Sequence, residues 1–405
     1  MKKDKLAAVP SLLREINERS ALDALRASGP LHAAEVARTI GVSKPTTSEI
    51  LRSLVESGLV RELEPGADDS KRARTMFEAI ADLKVTLGID IGSRFIRAAV
   101  GNLNGALLSE VSQPTTSLEL KSLLADIDSV AREALRKAGF AIKDIASVAV
   151  GTPGVVDQKT GNVAIAGTIS SLDGVNLAAE IKKLFKVSPI VENDVNMVTV
   201  AEQMTGFGRN LSSFAVLSVG SGLGSGLVLG GELHRGHRGA AGEIFYVPFG
   251  DPRDRARTAT NPSGDRIADL TRELSKKHKK SVLVEPYSTV DILNAAKAGD
   301  PLASEVIALE AERIALYIGA LSAVTDVELV ILSGGIGRQA DFFIAPIREL
   351  VAQIVPYPPR IEISKLGDHG ILVGALQLAT SQACNLVFSE RTSDATSQAK
   401  GRKIS

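Results

Sequence analysis

The sequence has no tryptophan, a single cysteine at Cys384, and only 4% aromatic residues among its 405. One thiol excludes an internal disulfide and any metal site built from several cysteines. Formal net charge is +0, from 47 Lys/Arg against 47 Asp/Glu. Nothing therefore draws the whole chain to nucleic acid or to a membrane, and any DNA contact must come from a local patch. The longest apolar run, FAVLSVGSGLGSGLVLG at 214–230, is glycine-rich and just short of spanning length. It reads as two buried strands around a loop. The opening residues MKKDKLAAVPSLLREINERS are interrupted by charge every few positions and lack a signal-peptide apolar region, so a cytoplasmic protein is expected.

What is abundant is glycine, 36 residues, with 44% hydrophobic residues overall. That combination suits α/β layering with many strand-to-helix corners. The length suits two or three domains.

The first 82 residues have a different texture. ALDALRASG reads as a helix closed by Gly29 and Pro30. Residues 31–60 then give two helices around the turn Gly41-Val42-Ser43, with Ser43 as N-cap and Pro45 in the first helical turn. This is a helix-turn-helix pattern. Its second helix opens with Ser43, Lys44, Pro45, Thr46, Thr47 and Ser48, short polar groups and one cation suited to base edges and phosphates. GLVRELE and RTMFEAI flank EPGADDSKRA and read as a two-stranded wing with Lys71, Arg72 and Arg74 at its tip. The segment from Lys2 to Asp82 holds 13 Lys/Arg and 13 Asp/Glu, so only those local cations favour DNA.

From residue 83 apolar strands, glycine corners and helices alternate, and two comparable halves imply a cleft between lobes. KVTLGIDIG brings Asp90 and Gly92 to the end of a strand. VENDVN places Asn193 and Asp194 in a polar turn before a helix, a carboxylate beside an amide, which suits bridging vicinal hydroxyls. Gly220, Ser221, Gly222, Gly224 and Gly226 form a loop that either cradles phosphates through backbone N–H groups or is the tight corner any such hairpin needs. Gly334 and Gly335 have the same double reading. KKHKK at 276–280 reads as a solvated helix face, and 386–405 as a flexible tail.

In their order, GIDIG, VGTPGVVD, VENDVN, GSGLGSG, RGHRGAAGE and ILSGGIG resemble the ROK family of repressors, open reading frames and sugar kinases. With the helix-turn-helix ahead of them, the chain resembles the family's sugar-responsive repressors of the xylose-repressor type. The resemblance implies an N-terminal all-α winged helix-turn-helix (1–82) and a two-lobed, actin-like α/β fold. The lobes are 83–195, with a returning helix at 369–385, and 196–368. It implies a sugar site at Gly154, Val155, Asn193, Asp194, Glu243 and Tyr246. Asp194 corresponds to the kinases' catalytic base, here a vestige, and Asp90, Gly92, Gly220, Gly222, Gly224, Gly334 and Gly335 are remnants of the nucleotide loops.

The chain departs from the kinase pattern in two places. Arg94 stands where kinases carry a phosphate-contacting threonine, so ATP is not expected. Tyr246 replaces the histidine that contacts sugar and usually zinc, and the cysteine cluster is missing, so no metal is expected. The reading is a non-catalytic, sugar-responsive transcriptional regulator. Its expected partners are operator DNA and a sugar or sugar-phosphate effector, in a homodimer or homotetramer away from any membrane. The alternative is an ATP-dependent sugar kinase with a fused DNA-binding domain.

Overall fold

The computed structural model describes residues 10–63, 75–249, 253 and 260–401. The chain begins with α1 (Pro10–Ser28), β1 (Leu31–His32), α2 (Ala33–Ile40), α3 (Lys44–Glu56), β2 (Val60–Leu63) and β3 (Met76–Ala79). α1 starts well before the ALDALRASG segment expected from sequence. The helix-turn-helix corner is as its residues dictate. Gly41 closes α2 at φ 70°, and the Ser43 hydroxyl accepts the Thr46 N–H at 3.3 Å to start α3. The wing is a three-stranded sheet in the order β1-β3-β2, one strand more than expected. Its tip, with Lys71, Arg72 and Arg74, lies outside the described residues.

The first lobe comprises β4 (Val85–Ile91), β5 (Phe95–Asn102), β6 (Leu107–Pro114), α4 (Leu120–Ala138), β7 (Ile145–Thr152), β8 (Val155–Val156), β9 (Val163–Ala164), α5 (Leu177–Phe185) and β10 (Ile190–Asn193). α6 (Asp194–Thr205) follows. The second lobe holds β11 (Phe214–Val219), β12 (Leu223–Leu229), β13 (Glu232–Leu233), α7 (Gly264–Ser275), α8 (Thr289–Lys297), α9 (Pro301–Thr325), β14 (Leu329–Ser333), α10 (Gly334–Gly337), α11 (Ile344–Ile354) and β15 (Arg360–Ile363). α12 (Gly370–Gly401) then returns across the molecule.

Each lobe is built on a mixed five-stranded sheet, β10-β7-β4-β5-β6 and β13-β12-β11-β14-β15. Strand periodicity sorts the second sheet's faces. Ala215, Leu217 and Val219 belong to the core shared with α9 and α11, while Phe214 and Val216 pack with Val195 and Val198 of α6. α6 also packs along α12, and α12 backs β4 and β7 of the first sheet. Both sheets thus meet through α6 and α12. Gly374 permits the close crossing, because a Cβ there would lie 1.9 Å from the Met197 carbonyl oxygen.

Three expectations are corrected here. Residues 386–401 are not a flexible tail: α12 runs on to Gly401, and Val387 and Phe388 are buried among Leu22, Leu25, Leu51 and Leu54. The reason is that the winged module cannot close its own core, and Ala383, Val387 and Phe388 of α12 complete it. KKHKK is not a helix face, since α7 ends at Ser275; His278 Nε2 there meets Glu305 Oε2 at 2.5 Å. Finally, Gly367–Arg391 is long and apolar enough to cross a membrane by length and composition. In this fold its apolar residues are spent on α6, the first sheet and the winged module.

Candidate functional site

The cleft is assembled from strand ends. β4 delivers Asp90, and the antiparallel register with β5 sets it opposite Arg97. Arg97 Nη1 donates to Asp90 Oδ2 at 2.9 Å, with the carboxylate only 3% exposed. Burial lifts the Asp90 carboxyl to about 6, against the lowering effect of the Arg97 guanidinium. Between them runs a turn that only glycine can open: the Gly92 N–H donates to the Phe95 carbonyl at 3.0 Å, and a Cβ on Gly92 would sit 2.8 Å from that oxygen. Arg94, in this turn, has an exposed side chain with no ion pair among the described residues.

β10 ends in Glu192-Asn193, and Asp194 opens α6. Glu192 is a buried anchor. Its carboxylate accepts from Arg235 Nε at 2.5 Å, Asn196 Nδ2 at 2.9 Å and its neighbour's N–H at 3.0 Å. Arg235 comes from the second lobe, so this pair ties the lobes together beside the cleft. Asn193 keeps only an Nδ2 N–H for the hydroxyl contact expected of it. Its Oδ1 accepts the N–H groups of Val195 and Asn196 at 2.9 and 3.1 Å, and its Nδ2 donates to the Gly154 carbonyl at 3.0 Å. Capping a helix in the lobe interior consumes the amide's acceptor.

Asp194 keeps one carboxylate oxygen out of the capping bonds; Oδ1 accepts from Val195 N–H at 2.8 Å. Burial raises its pKa to about 7, with the Asp90 and Glu243 charges adding to the shift. Burial also raises Glu243, on the facing loop of the second lobe. Asp90, Asp194 and Glu243 therefore form the polar centre. Gly154 and Val155 shape its rim through backbone only, since Val155 is buried and a Cβ on Gly154 would fall 2.7 Å from the Ala164 carbonyl. Tyr246 is 53% exposed, its ring 5.7 Å from Phe245 in an edge-on contact, and its N–H donates to the Glu243 carbonyl at 3.1 Å.

The glycine loops divide by role. Gly224 and Gly226 are glycine because α6 crosses them: a Cβ would lie 3.1 Å from Val195 Cγ2 or 2.1 Å from Thr199 Oγ1. They are packing residues, not a phosphate cradle. Gly220 bonds to Gly222 at 2.9 Å and accepts from the Gly264 N–H at 2.8 Å. Gly334 sits at φ +79° against the Val219 carbonyl. Of these loop glycines, Gly222 and Gly335 face open space.

On α3, Lys44, Pro45, Ser48, Glu49 and Arg52 are exposed. Thr47 is 0% exposed, and its hydroxyl donates to the Ser43 carbonyl at 3.0 Å. The expectation that Thr47 reaches a base edge is therefore corrected. Its spacing to Ile50, Leu51 and Leu54 is that of one apolar helix face, a signal present in the sequence. Lys44→Ala is expected to weaken binding to all DNA sequences and to reduce the slope of log K against log salt by about 1. Titrations at several salt concentrations check this, and an unchanged slope would remove Lys44 from the interface.

Sequence reasoning missed Arg97 and Arg235. The short β4–β5 turn, which sets residue 97 opposite 90, was the available signal for the first. Nothing local pointed to the second. For zinc, the residues present do not fit: 242–269 contain neither cysteine nor histidine. Purified protein is expected to carry no stoichiometric zinc and to keep its melting temperature in chelator. Elemental analysis finding tightly held zinc would overturn that.

Comparison with known proteins places these observations. Residues 86–382 match the ROK family, and residues 15–72 match the MarR family. The xylose repressor of Caldicellulosiruptor bescii is 24% identical over 387 residues, covering 92% of this chain and 97% of its own length. A crystal structure of a ROK family transcriptional regulator, a homolog of the E. coli MLC protein, superposes with a TM-score of 0.77 at 21% identity, covering 94% of this chain and 99% of its own. A ROK family glucokinase from Streptomyces griseus, solved with glucose and AMPPNP, superposes at 0.63 with 23% identity, over 73% of this chain and 99% of its own.

Proposed function

We propose that this chain, which belongs to the ROK family, is a sugar-responsive DNA-binding repressor whose cleft senses a ligand and does not turn it over. One observation carries the reading. α12 supplies Ala375 and Ala379 to the packing beneath the cleft, and Ala383, Val387 and Phe388 to the core of the winged module. The helix that carries Asp194 crosses α12 at Met197, one turn from that residue. A sugar hydroxyl accepted at Asp194 and Glu243 is thus linked by two packed helices to α1 and α3. Ligand that favours one arrangement of the lobes biases the placement of the DNA-reading helices, a coupling between two sites through one element.

Further support comes from the winged module and from the xylose repressor's similarity along most of both chains. The effector is a sugar or sugar phosphate, the nucleic acid is duplex operator DNA, and the working form is a cytoplasmic homodimer or homotetramer. Paired half-sites one helical turn apart require two recognition helices.

The second reading is an ATP-dependent sugar kinase with a fused DNA-binding domain. The open faces at Gly222 and Gly335 favour it; Arg97 on Asp90 opposes it. The test is selection of a binding site from random duplex DNA, followed by titration with a panel of sugars and phosphosugars. A sugar that changes DNA affinity without being phosphorylated supports the repressor. Turnover of ATP with that sugar supports the kinase.

A further inference from the structure

The β4–β5 hairpin fixes a cation inside the cleft. Arg97 is 24% exposed, pairs with Asp90 at 2.9 Å, and carries its Cζ 5.5 Å from the centre of the Phe95 ring. The guanidinium is held at one edge by a buried carboxylate and on one face by an aromatic ring. The register Asp90↔Arg97 sets the two side chains on one face of the sheet, across a turn of only Gly92 to Arg94.

We infer that Arg97 stands in for a divalent cation at Asp90 and is the residue that makes this cleft refuse a metal-bound nucleotide. The inference deepens the repressor reading and rests on it. Magnesium in a nucleotide site is held by one or two carboxylates together with phosphate oxygens and water. The carboxylates here do not fit that need. Asp90 is already committed to a charge-assisted bond, and a metal ion taking its place would leave Arg97 partly buried, unpaired and facing a like charge. Asp194, the second carboxylate, has its Oδ1 already engaged by the Val195 N–H at 2.8 Å. The rest of the nucleotide side is not blocked in this way, since Gly222 and Gly335 are open. Refusal therefore resides in a side chain that one substitution removes.

The test uses the full-length protein, titrated with manganese chloride and followed by the electron paramagnetic resonance of free Mn²⁺, then with a fluorescent ATP analogue in its presence. Wild type is expected to show no saturable Mn²⁺ binding. Arg97→Ala is expected to gain it, with Mn²⁺-dependent affinity for the analogue rising about tenfold or more, and Asp90→Asn added to Arg97→Ala is expected to abolish the gain. Arg97→Gln, which keeps most of the side-chain volume, serves if the alanine variant melts early. Wild type binding the Mn²⁺ analogue within about twofold of both Arg97 variants would overturn the inference. Sugar-dependent DNA binding is measured on the wild type in parallel. Its loss counts against the repressor reading alone, while equal nucleotide affinities count against Arg97 alone.

Discussion

Phe388→Ala is expected to destabilise the winged module by about 3–5 kcal/mol, the usual cost of emptying an aromatic core position. Phe388 is 1% exposed and packs in one cluster with Leu22, Leu25, Leu51 and Leu54, although 334 positions or more separate it from them in sequence. Arg19 stacks on its ring at 5.1 Å and binds Asn385 Oδ1 at 2.5 Å, so α1 and α12 are fastened at the same place. A domain of this size has only about 5–15 kcal/mol of stability. The variant should therefore show a separate, earlier melting step for residues 10–80 and lose operator binding at growth temperature. Ligand binding to the cleft should persist, because Asp194 and Glu243 lie outside this cluster. Phe388→Leu, which keeps most of the volume, should cost less than about 1.5 kcal/mol. Calorimetry and DNA titration decide it; a single unshifted transition in the alanine variant would show that α12 is not part of the module's core.

Asp194→Asn should weaken sugar binding by roughly one to two decades, the loss of a charge-assisted acceptor worth about 1.5–3 kcal/mol. Operator affinity without ligand should stay near wild type. The pH dependence follows from the direction of the shift. A carboxyl whose folded pKa is raised from 3.8 to about 7 holds its proton in the native state where the unfolded chain has lost it. It contributes stability that is present below about 3.8 and lost as pH rises through about 7, and Asp194→Asn should remove that decline. Sugar affinity moves the other way. The ionised form is the better acceptor of hydroxyl protons, so wild-type affinity should rise through pH 7 and the variant's should stay flat. Calorimetric titration across that range checks both. Robust sugar-dependent ATP turnover in wild type, abolished by the substitution, would make Asp194 a catalytic base and this chain an enzyme.

Much of the plan was legible because its signals are local. The turn Gly41-Val42-Ser43 needs a left-handed glycine and a capping hydroxyl within three residues, and both are written next to each other. The glycine corners at Gly92, Gly154 and Gly334 announce sharp turns or close approaches wherever they fall. The missing thiols exclude the cysteine-ligated zinc site by composition alone. Thr47 is an instructive failure. A polar residue type suggested a DNA contact, but the helical period placed it with Ile50, Leu51 and Leu54, and period outranks polarity when a face must be buried.

By itself, then, the sequence determined the winged helix-turn-helix, the two glycine-cornered lobes and the residues that could meet a sugar. Each of these depends on groups within one turn or one hairpin of each other. The tertiary structure alone decided which of those residues are free. Asn193 lost its acceptor to a helix cap, Asp90 lost its vacancy to Arg97, and Gly224 and Gly226 went to the crossing of α6. It alone also decided that the expected tail is a core helix. A contact such as Arg19 with Asn385, 366 residues apart, has no local signature. It forms because a winged module of some seventy residues leaves apolar surface uncovered, and α12 is the element that reaches it.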